Sequence, residues 1–506
     1  MEAGIFSSMH TWLHQSVTWS DVVVYSVILC TTWLVYLFGI KPFLSPLRKI
    51  PGPAYNPLYG NIRQAMVGEE MESSVRMVKT YGGIVRFYHL LGRERVLIAD
   101  PKALQHVLTN NERNYERPVQ NQVFGSGIFR VTGDEHRYQR RLLNPFFSRE
   151  SVNGYLRKFQ THAEELVDYW NKKISSGDEG QPADVEVYHD LLRVLLDVIG
   201  DTVLGHQFDH LKKPNCPHAN AIHMLTSRPF IRWTNLLPFG LGDKLPTKSN
   251  REFNDSVRTV FQLLDGIIEK KREEMGSPEG LASAHTNLLG KLMLAKDEDG
   301  RSLTNQELRD QLVSFILAGH ETTTVGLSWI MLTLAQHPEA QVRLRAEVLE
   351  HLPPEGEDIS WEILEAMPYM DAVVKEGLRL YPSAPSFVRR ARADDVIDSY
   401  FIPKGTTLVY HVGAMMRNPK LWPDPEKFMP ERFLDKEANM GAFMPFAAGL
   451  HRCMGHRYAM ISMKLFIAVF LRKFEFQTIP GVKFKRILRV VLKSSPPIRL
   501  RLKKID

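Results

Sequence analysis

The sequence predicts a mainly α-helical fold with a minor β part, arranged as one large domain behind an N-terminal transmembrane helix. Three observations predict it. A run of uncharged, mostly apolar residues, 22–40, stands near the N-terminus. Apolar residues then recur with helical spacing from about residue 150 to the 380s. Strand-like alternation is confined to short runs before residue 100 and after Tyr400. The length prior of about 150 residues per domain would suggest several domains. No internal repeat or second linker divides residues 58–506, however, so that stretch reads as a single domain.

Residues 1–21 form a short lumenal N-terminus in this reading, and 22–40 the anchor. At ~1.5 Å per residue the anchor reaches roughly 28 Å, close to the ~30 Å hydrocarbon core of a bilayer. Acidic Glu2 and Asp21 precede it, and basic Lys41, Arg48 and Lys49 follow it. The positive-inside rule therefore leaves the body in the cytosol. A cleaved signal peptide would need a basic start, a shorter apolar core and a small-residue cleavage site, and none is evident. Residues 41–57 carry prolines at 42, 46, 51, 53 and 57. Proline fixes φ and removes a donor, so the expectation is a stiff, extended spacer between membrane and body.

In the body, residues 84–90 and 95–99 flank a Gly92–Arg93 turn and predict a hairpin. Thr304 and Glu307 form a capping-box pair ahead of an apolar run that ends at His337-Pro338, which predicts a buried helix of roughly 32 residues, about 48 Å long. A last apolar helix is expected over 455–470. The aromatic and basic stretch 228–241 suits either a second, shallow membrane contact or core packing.

Composition narrows the function. Hydrophobic residues make up 44% and charged residues 24%, which excludes a mostly disordered chain. Three cysteines cannot build a disulfide framework and point to a reducing compartment. A net charge of +7 without a basic run gives nucleic-acid binding no support.

Of the cysteines, Cys30 falls in the anchor and Cys216 in a polar Lys-Pro-Asn-Cys-Pro stretch. Cys453 lies between Gly449 and Gly455, beside His451 and Arg452, just before the last helix. Basic neighbours and a helix N-terminus favour a thiolate. Glycines permit a tight turn and close approach of something flat or bulky. The residues themselves leave three readings open: a nucleophile, a single thiolate metal ligand, or a buried small hydrophobe.

The string from Phe446 through Gly449 and Cys453 to Gly455 resembles the haem-thiolate loop of the cytochrome P450 superfamily. Further motifs resemble that family in the same chain order. Ala318-Gly319-His320-Glu321-Thr322-Thr323 is similar to its oxygen-activation segment, Lys375-Glu376-Gly377-Leu378-Arg379 to its Glu-x-x-Arg helix, and Pro430-Glu431-Arg432-Phe433 to its proline–arginine segment. The anchor and proline-rich stretch resemble the microsomal eukaryotic members.

That resemblance implies a cytochrome P450-like domain holding haem b, with Cys453 as axial iron ligand. A thiolate donates electron density that favours O–O cleavage. Gly449 and Gly455 would temper the sulfur charge through backbone N–H groups, and Phe446 would keep water from it. Thr322 and Glu321 would form the acid–alcohol pair that handles protons. Glu376, Arg379 and Arg432 would form a structural ion cluster. Where the family often has tryptophan and arginine at the haem carboxylates, this chain has His136, ahead of Arg140, and His451. Both keep a ring donor. Phe315, Ala318, Ala384, Phe387 and Phe129 are carried over as substrate contacts.

The implied activity is oxidation of a lipophilic small molecule with O2, in a secondary-metabolite pathway of a fungal source. Electrons would come from an NADPH-dependent flavoprotein reductase docking on Arg137, Arg141, Arg452, Arg457 and Lys464. The implied location is the endoplasmic reticulum membrane, single-pass, with the lipid bilayer as a partner and no nucleic acid. Two alternatives are a haem-thiolate isomerase or dehydratase that uses no O2, and a non-enzymatic membrane electron-transfer protein.

Overall fold

The computed structural model describes residues 19–61, 68–118, 122–175, 182–227, 241–297, 300–434 and 439–505. The first apolar segment forms α1 (Trp19–Val35), continued by a π turn (Tyr36–Ile40) and a last helical turn (Lys41–Leu44). Together these make 26 residues that are long and apolar enough to cross a membrane, with their most apolar part unburied.

The proline-rich segment differs from the expected spacer. Lys41–Leu44 stays helical and Pro46–Lys49 turns as a 3-10 helix, capped where Ser45 Oγ accepts the Leu47 N–H at 3.3 Å. Proline near the start of a helical turn loses a donor that had no partner there anyway, so it initiates these turns and does not straighten them. The segment also packs onto the body. Leu47 and Ile50 are buried, Pro51 O accepts from Arg86 N at 2.9 Å, and Tyr55 OH donates to the Phe38 carbonyl at 3.0 Å. Gly52 permits this contact, because a Cβ there would lie 1.9 Å from the Arg86 carbonyl oxygen.

The expected hairpin is present as β1 (Ile84–Tyr88) and β2 (Glu94–Ile98), antiparallel, with a 3-10 turn at Leu90–Gly92. They join β3 (Tyr115–Glu116), β5 (Phe387–Ala391) and β8 (Thr407–Tyr410) in a sheet ordered β1-β2-β8-β5-β3, where β2 and β8 run parallel. The remaining strands form smaller sheets. β4 (Ala183–Val185), β12 (Leu500–Lys504) and β9 (Phe474–Gln477) make one, and β6 (Asp395–Ile397) pairs β7 (Tyr400–Ile402). β10 (Lys485–Leu488) and β11 (Leu492–Ser495) close a hairpin near the C-terminus.

Among the helices, those that place the site are α2 (Gly133–Leu143), α3 (Leu156–Ser175), α4 (Val187–Ile199), α5 (Pro217–Ser227), α6 (Asn305–Gln336), α7 (Pro368–Leu380) and α8 (His456–Lys473). Both halves of the capping box on α6 are made, and its 32 residues match the length read from the sequence. The helix runs through a largely apolar helical core, while the sheet packs a second core of its own. The segment 228–241 falls outside the described residues, apart from the backbone of Leu241.

Candidate active site

Cys453 sits where a short 3-10 turn, Gly449–His451, meets the N-terminus of α8. The loop is held by its own backbone: Cys453 N donates to Phe446 O at 2.9 Å and Arg452 N to Gly449 O at 3.1 Å. His456 Nδ1 lies 3.1 Å from the Cys453 carbonyl, so the following helix is tied to the loop as well. Phe446 is half-buried against the helical core, with its ring 6.2 Å from that of His456. The glycines at the two ends serve different ends. Gly449 has φ +70° and a Cβ on it would lie 1.7 Å from Leu108 O, so this glycine seats the loop on its neighbour. At Gly455 a Cβ would meet nothing within 4 Å, which leaves an open face beside the sulfur. Cys453 is itself exposed to that opening. Desolvation pushes its thiol up, while the Gly455 N–H, Arg140 and Arg452 pull the other way.

Helix α6 supplies a window. From Asp310 to Ala335 its residues are buried except Leu317, Ala318, Gly319 and Thr322, of which Ala318 is exposed. An exposed alanine in the middle of a buried helix marks a cavity wall. Thr322 Oγ1 donates back to Ala318 O at 2.6 Å, Thr323 to Gly319 O and Thr324 to His320 O, both at 2.8 Å. The helix stays α throughout, so these bonds do not break it. Gly319 has a packing reason: a Cβ would come within 2.7 Å of Ile199 Cδ1 on α4.

Glu321 does not share the window. It is buried on another side of α6, ion-paired with Lys493 of β11, and accepts from Tyr188 OH of α4 at 3.3 Å. Burial alone would raise its carboxyl, but Lys493, His320 and Thr226 outweigh this and hold it below the usual carboxylate range. Its Oε2 has no hydrogen-bond partner among the described residues. Neither Lys493 nor Tyr188 was legible in the sequence, because each comes from a distant element.

Beside the cysteine loop lies a buried pocket of histidine and arginine side chains. The rings of His136 on α2 and His451 are 4.0 Å apart, and both side chains are buried. Burial, His451, Arg117, Arg140 and Arg389 together push His136 down to about 2. Arg117 is lowered to about 10 by burial and by Arg389. Its Nη2 reaches the Ile128 and Val131 carbonyls at 3.3 and 3.1 Å, while Nε has no partner among the described residues. His451 Nε2 lies 3.2 Å from Glu112 Oε1, and its Nδ1 is buried without a partner among the described residues. Arg140 is turned to the Arg452 carbonyl at 2.6 Å. Sequence reasoning missed Arg117 and Arg389; the only signal was an arginine pair, 389–390, in a strand-like run.

Other expected residues fall as follows. Arg379 makes two bonds to Glu376, Nε to Oε2 at 2.6 Å and Nη2 to Oε1 at 2.9 Å, and Arg432 Nε reaches the same carboxylate at 3.3 Å. Phe315 is buried, with its ring 5.4 Å from Phe147. Ala384 and Phe387 are half-buried, and Phe387 stacks on Tyr410 at 5.0 Å. Phe129 is exposed, 4.5 Å from Phe124 and under the Arg117 guanidinium. Of the basic residues assigned to a docking face, Arg141, Arg452 and Arg457 are exposed and Arg137 pairs with Asp134 at 3.0 Å. Lys464 is a correction: it is buried and paired with Asp371 at 2.8 Å, because α8 turns that position inward.

A family model described as Cytochrome P450 matches residues 50–502. The chain belongs to the cytochrome P450 family. As a member it is a haem-thiolate monooxygenase, with haem held by a cysteine thiolate. It is 30% identical over 505 residues to Cytochrome P450 monooxygenase sphH of Aspergillus fumigatus, covering 94% of this chain and 92% of that one. It is 29% identical to Cytochrome P450 4A6 of Oryctolagus cuniculus, covering 91% of each. Retinoic acid bound cyanobacterial CYP120A1 shares the fold, with TM-score 0.76 and 24% identity over 90% of this chain and 99% of that one. The cytochrome P450DA heme domain does too, with TM-score 0.77 and 24% identity, covering 90% and 97%. The residues here fit a haem. A thiol stands at an open face, and a buried pocket of histidine and arginine side chains, with nitrogens unpartnered among the described residues, lies next to it, as two haem carboxylates require.

Proposed function

We propose that Cys453 is the axial iron ligand, and that His136, His451, Arg117 and Arg389 hold the haem carboxylates. The observation that carries this is the adjacency of thiol and anion pocket: His451 is two residues from Cys453 and lines the pocket with a buried Nδ1 that has no partner among the described residues. Haem bound there supplies activation of dioxygen, one atom going to the substrate and the other to water. Phe446 and Gly449 shape the loop that keeps the sulfur in place, and Gly455 leaves room above it.

The chain's own groups do the rest. Thr322, in the α6 window, holds a proton donor at the cavity wall; its hydroxyl hydrogen rests on Ala318 O and its lone pairs stay free to accept. Glu321, held ionised by Lys493, takes up a proton from water on leaving that lysine and passes it toward Thr322. Glu376, Arg379 and Arg432 serve the fold. Phe315, Ala318, Ala384, Phe387 and Phe129 border a lipophilic substrate, in line with their apolar character. Helix α1 anchors the protein in the endoplasmic reticulum membrane with the body in the cytosol, supported by Lys41, Arg48 and Lys49 after it. An NADPH-dependent flavoprotein reductase docks on the side bearing Arg137, Arg141, Arg452 and Arg457, where it meets charge complementarity. A secondary-metabolite pathway is in keeping with the anchor and the lipophilic cavity wall.

The test is spectroscopic. The ferrous–CO complex of the wild type is expected to show a strongly red-shifted Soret band, lost in Cys453→Ser and kept in Cys216→Ser. Retention of the band by Cys453→Ser overturns the assignment. Thr322→Ala is expected to keep that band while raising the fraction of electrons lost to hydrogen peroxide or water. Unchanged coupling, measured as product formed per NADPH consumed, removes Thr322 from proton handling.

A further inference from the structure

Asp395 opens β6, which follows β5 in the chain, and none of the family motifs includes it. Its side chain is largely buried and one of its oxygens gathers three donors. His106 Nε2 lies 2.8 Å from Oδ2 and Asn111 Nδ2 lies 3.0 Å from it, with Tyr115 OH donating to the same atom. A carboxylate has no proton to give, so His106 must carry its hydrogen on Nε2. The other oxygen accepts the Val396 N–H at 2.8 Å. Three donors on one charged oxygen form a strong, geometrically demanding clamp.

All three donors come from one short stretch, 106–115, which folds as a π turn, a 3-10 turn and the start of β3. Asn114 fastens the same stretch to the strand end: its carbonyl accepts from Arg392 N at 2.8 Å and its Oδ1 from Ala393 N at 2.8 Å. The opposite side of the stretch is what the cysteine loop rests on. Leu108 O is the atom that leaves no room for a Cβ on Gly449. Glu112 holds His451 Nε2 at 3.2 Å. Two residues beyond Tyr115 comes Arg117 of the histidine and arginine pocket.

We propose that Asp395 is a positioning residue for the haem site: through residues 106–117 its carboxylate sets the seat of the Cys453 loop and the register of the carboxylate pocket, without touching either. This rests on the reading of Cys453 as iron ligand. The reason is geometric. A loop whose glycine lies against a carbonyl can move only if that carbonyl moves, and Leu108 is two residues from a clamped side chain. Loss of the clamp frees Leu108, Glu112 and Arg117 together, so thiolate ligation and carboxylate binding weaken together.

Outer partners of this kind change ligand affinity by about tenfold to 100-fold. Full-length holoprotein carrying Asp395→Ala is therefore expected to lose haem to excess apomyoglobin about tenfold faster than the wild type. A larger share of its ferrous–CO complex should show an unshifted Soret band. Asp395→Asn, which keeps one accepting oxygen, falls between the two. Tyr115→Phe removes a single donor with little change of shape, and is expected to give a smaller acceleration in the same direction. Haem-loss rates and CO spectra equal to the wild type in all three variants overturn the proposal, even if the thermal midpoint drops, since a purely structural clamp would move only that. A wild type without the shifted band overturns the Cys453 reading itself and this inference with it.

Discussion

Two clusters of buried charge show how differently a fold can treat the same problem. Around Glu376 the accounts of donors and acceptors close. Arg379 and Arg432 meet one carboxylate, and Arg379 also donates to the carbonyls of Met416, Pro425 and Lys427 at 2.7, 2.8 and 3.3 Å. Around His136 they stay open. Arg117, Arg389, Arg140, His136 and His451 act on one another electrostatically, Glu112 is the carboxylate that meets His451, and two ring or guanidinium nitrogens have no partner among the described residues. Buried charge without compensation costs stability. A fold that satisfies one cluster completely and leaves the other short of anions has built the second for a ligand that brings them. The comparison thereby separates a scaffold from a site on donor geometry, without reference to motifs.

The largest effect is expected at Glu376. Glu376→Gln removes the charge between two buried arginines and is expected to destabilise the protein by about 3–5 kcal/mol, with or without haem. Denaturant melts of both forms would measure it. Arg117→Met should behave in the opposite sense. The pocket already disfavours that cation, so the apoprotein is expected to change by no more than about 1 kcal/mol, while the holoprotein releases haem several-fold faster. An apoprotein loss as large as that of Glu376→Gln would make the pocket a second structural cluster and remove the contrast.

A smaller effect comes from pH. His136 is held at about 2 in the fold, against an ordinary value near 6.5. Below about 6.5 the unfolded chain takes up a proton that the folded chain refuses, so stability falls as pH drops toward the folded value. The wild-type apoprotein should therefore lose midpoint between pH of about 7 and about 5 more steeply than His136→Phe. Haem carboxylates offset the neighbouring cations, so the holoprotein should show a shallower slope. Equal slopes in apo and holo forms would mean that the carboxylates do not reach His136.

Much of this was legible in the residues. The capping box Thr304–Glu307 and the His337-Pro338 stop bound α6 because both signals are local and cost nothing in tertiary context. The β1–β2 hairpin was readable for the same reason. The segment 41–57 was not, since proline composition describes an isolated chain, and here Leu47 and Ile50 find a core to enter. Lys464 looked like surface charge by residue type, yet Asp371 lies on the helix opposite and takes it inside. Glu321 and Thr322 are neighbours in sequence but about 100° apart around a helix, so one faces the cavity and the other a buried lysine.

Length, periodicity and caps were enough to establish a helical domain with an apolar N-terminal helix, and the motif around Cys453 pointed to a thiolate ligand only through its family resemblance. These are short-range properties, carried by residues a few positions apart. The partners of the site came from elsewhere: Arg117 and Arg389 facing His136, Lys493 and Tyr188 holding Glu321, Asp395 clamping the stretch under Gly449. They lie tens to hundreds of residues from what they touch. Such pairings arise when strands and helices pack, and no pattern within one segment records which distant charge will fold against it.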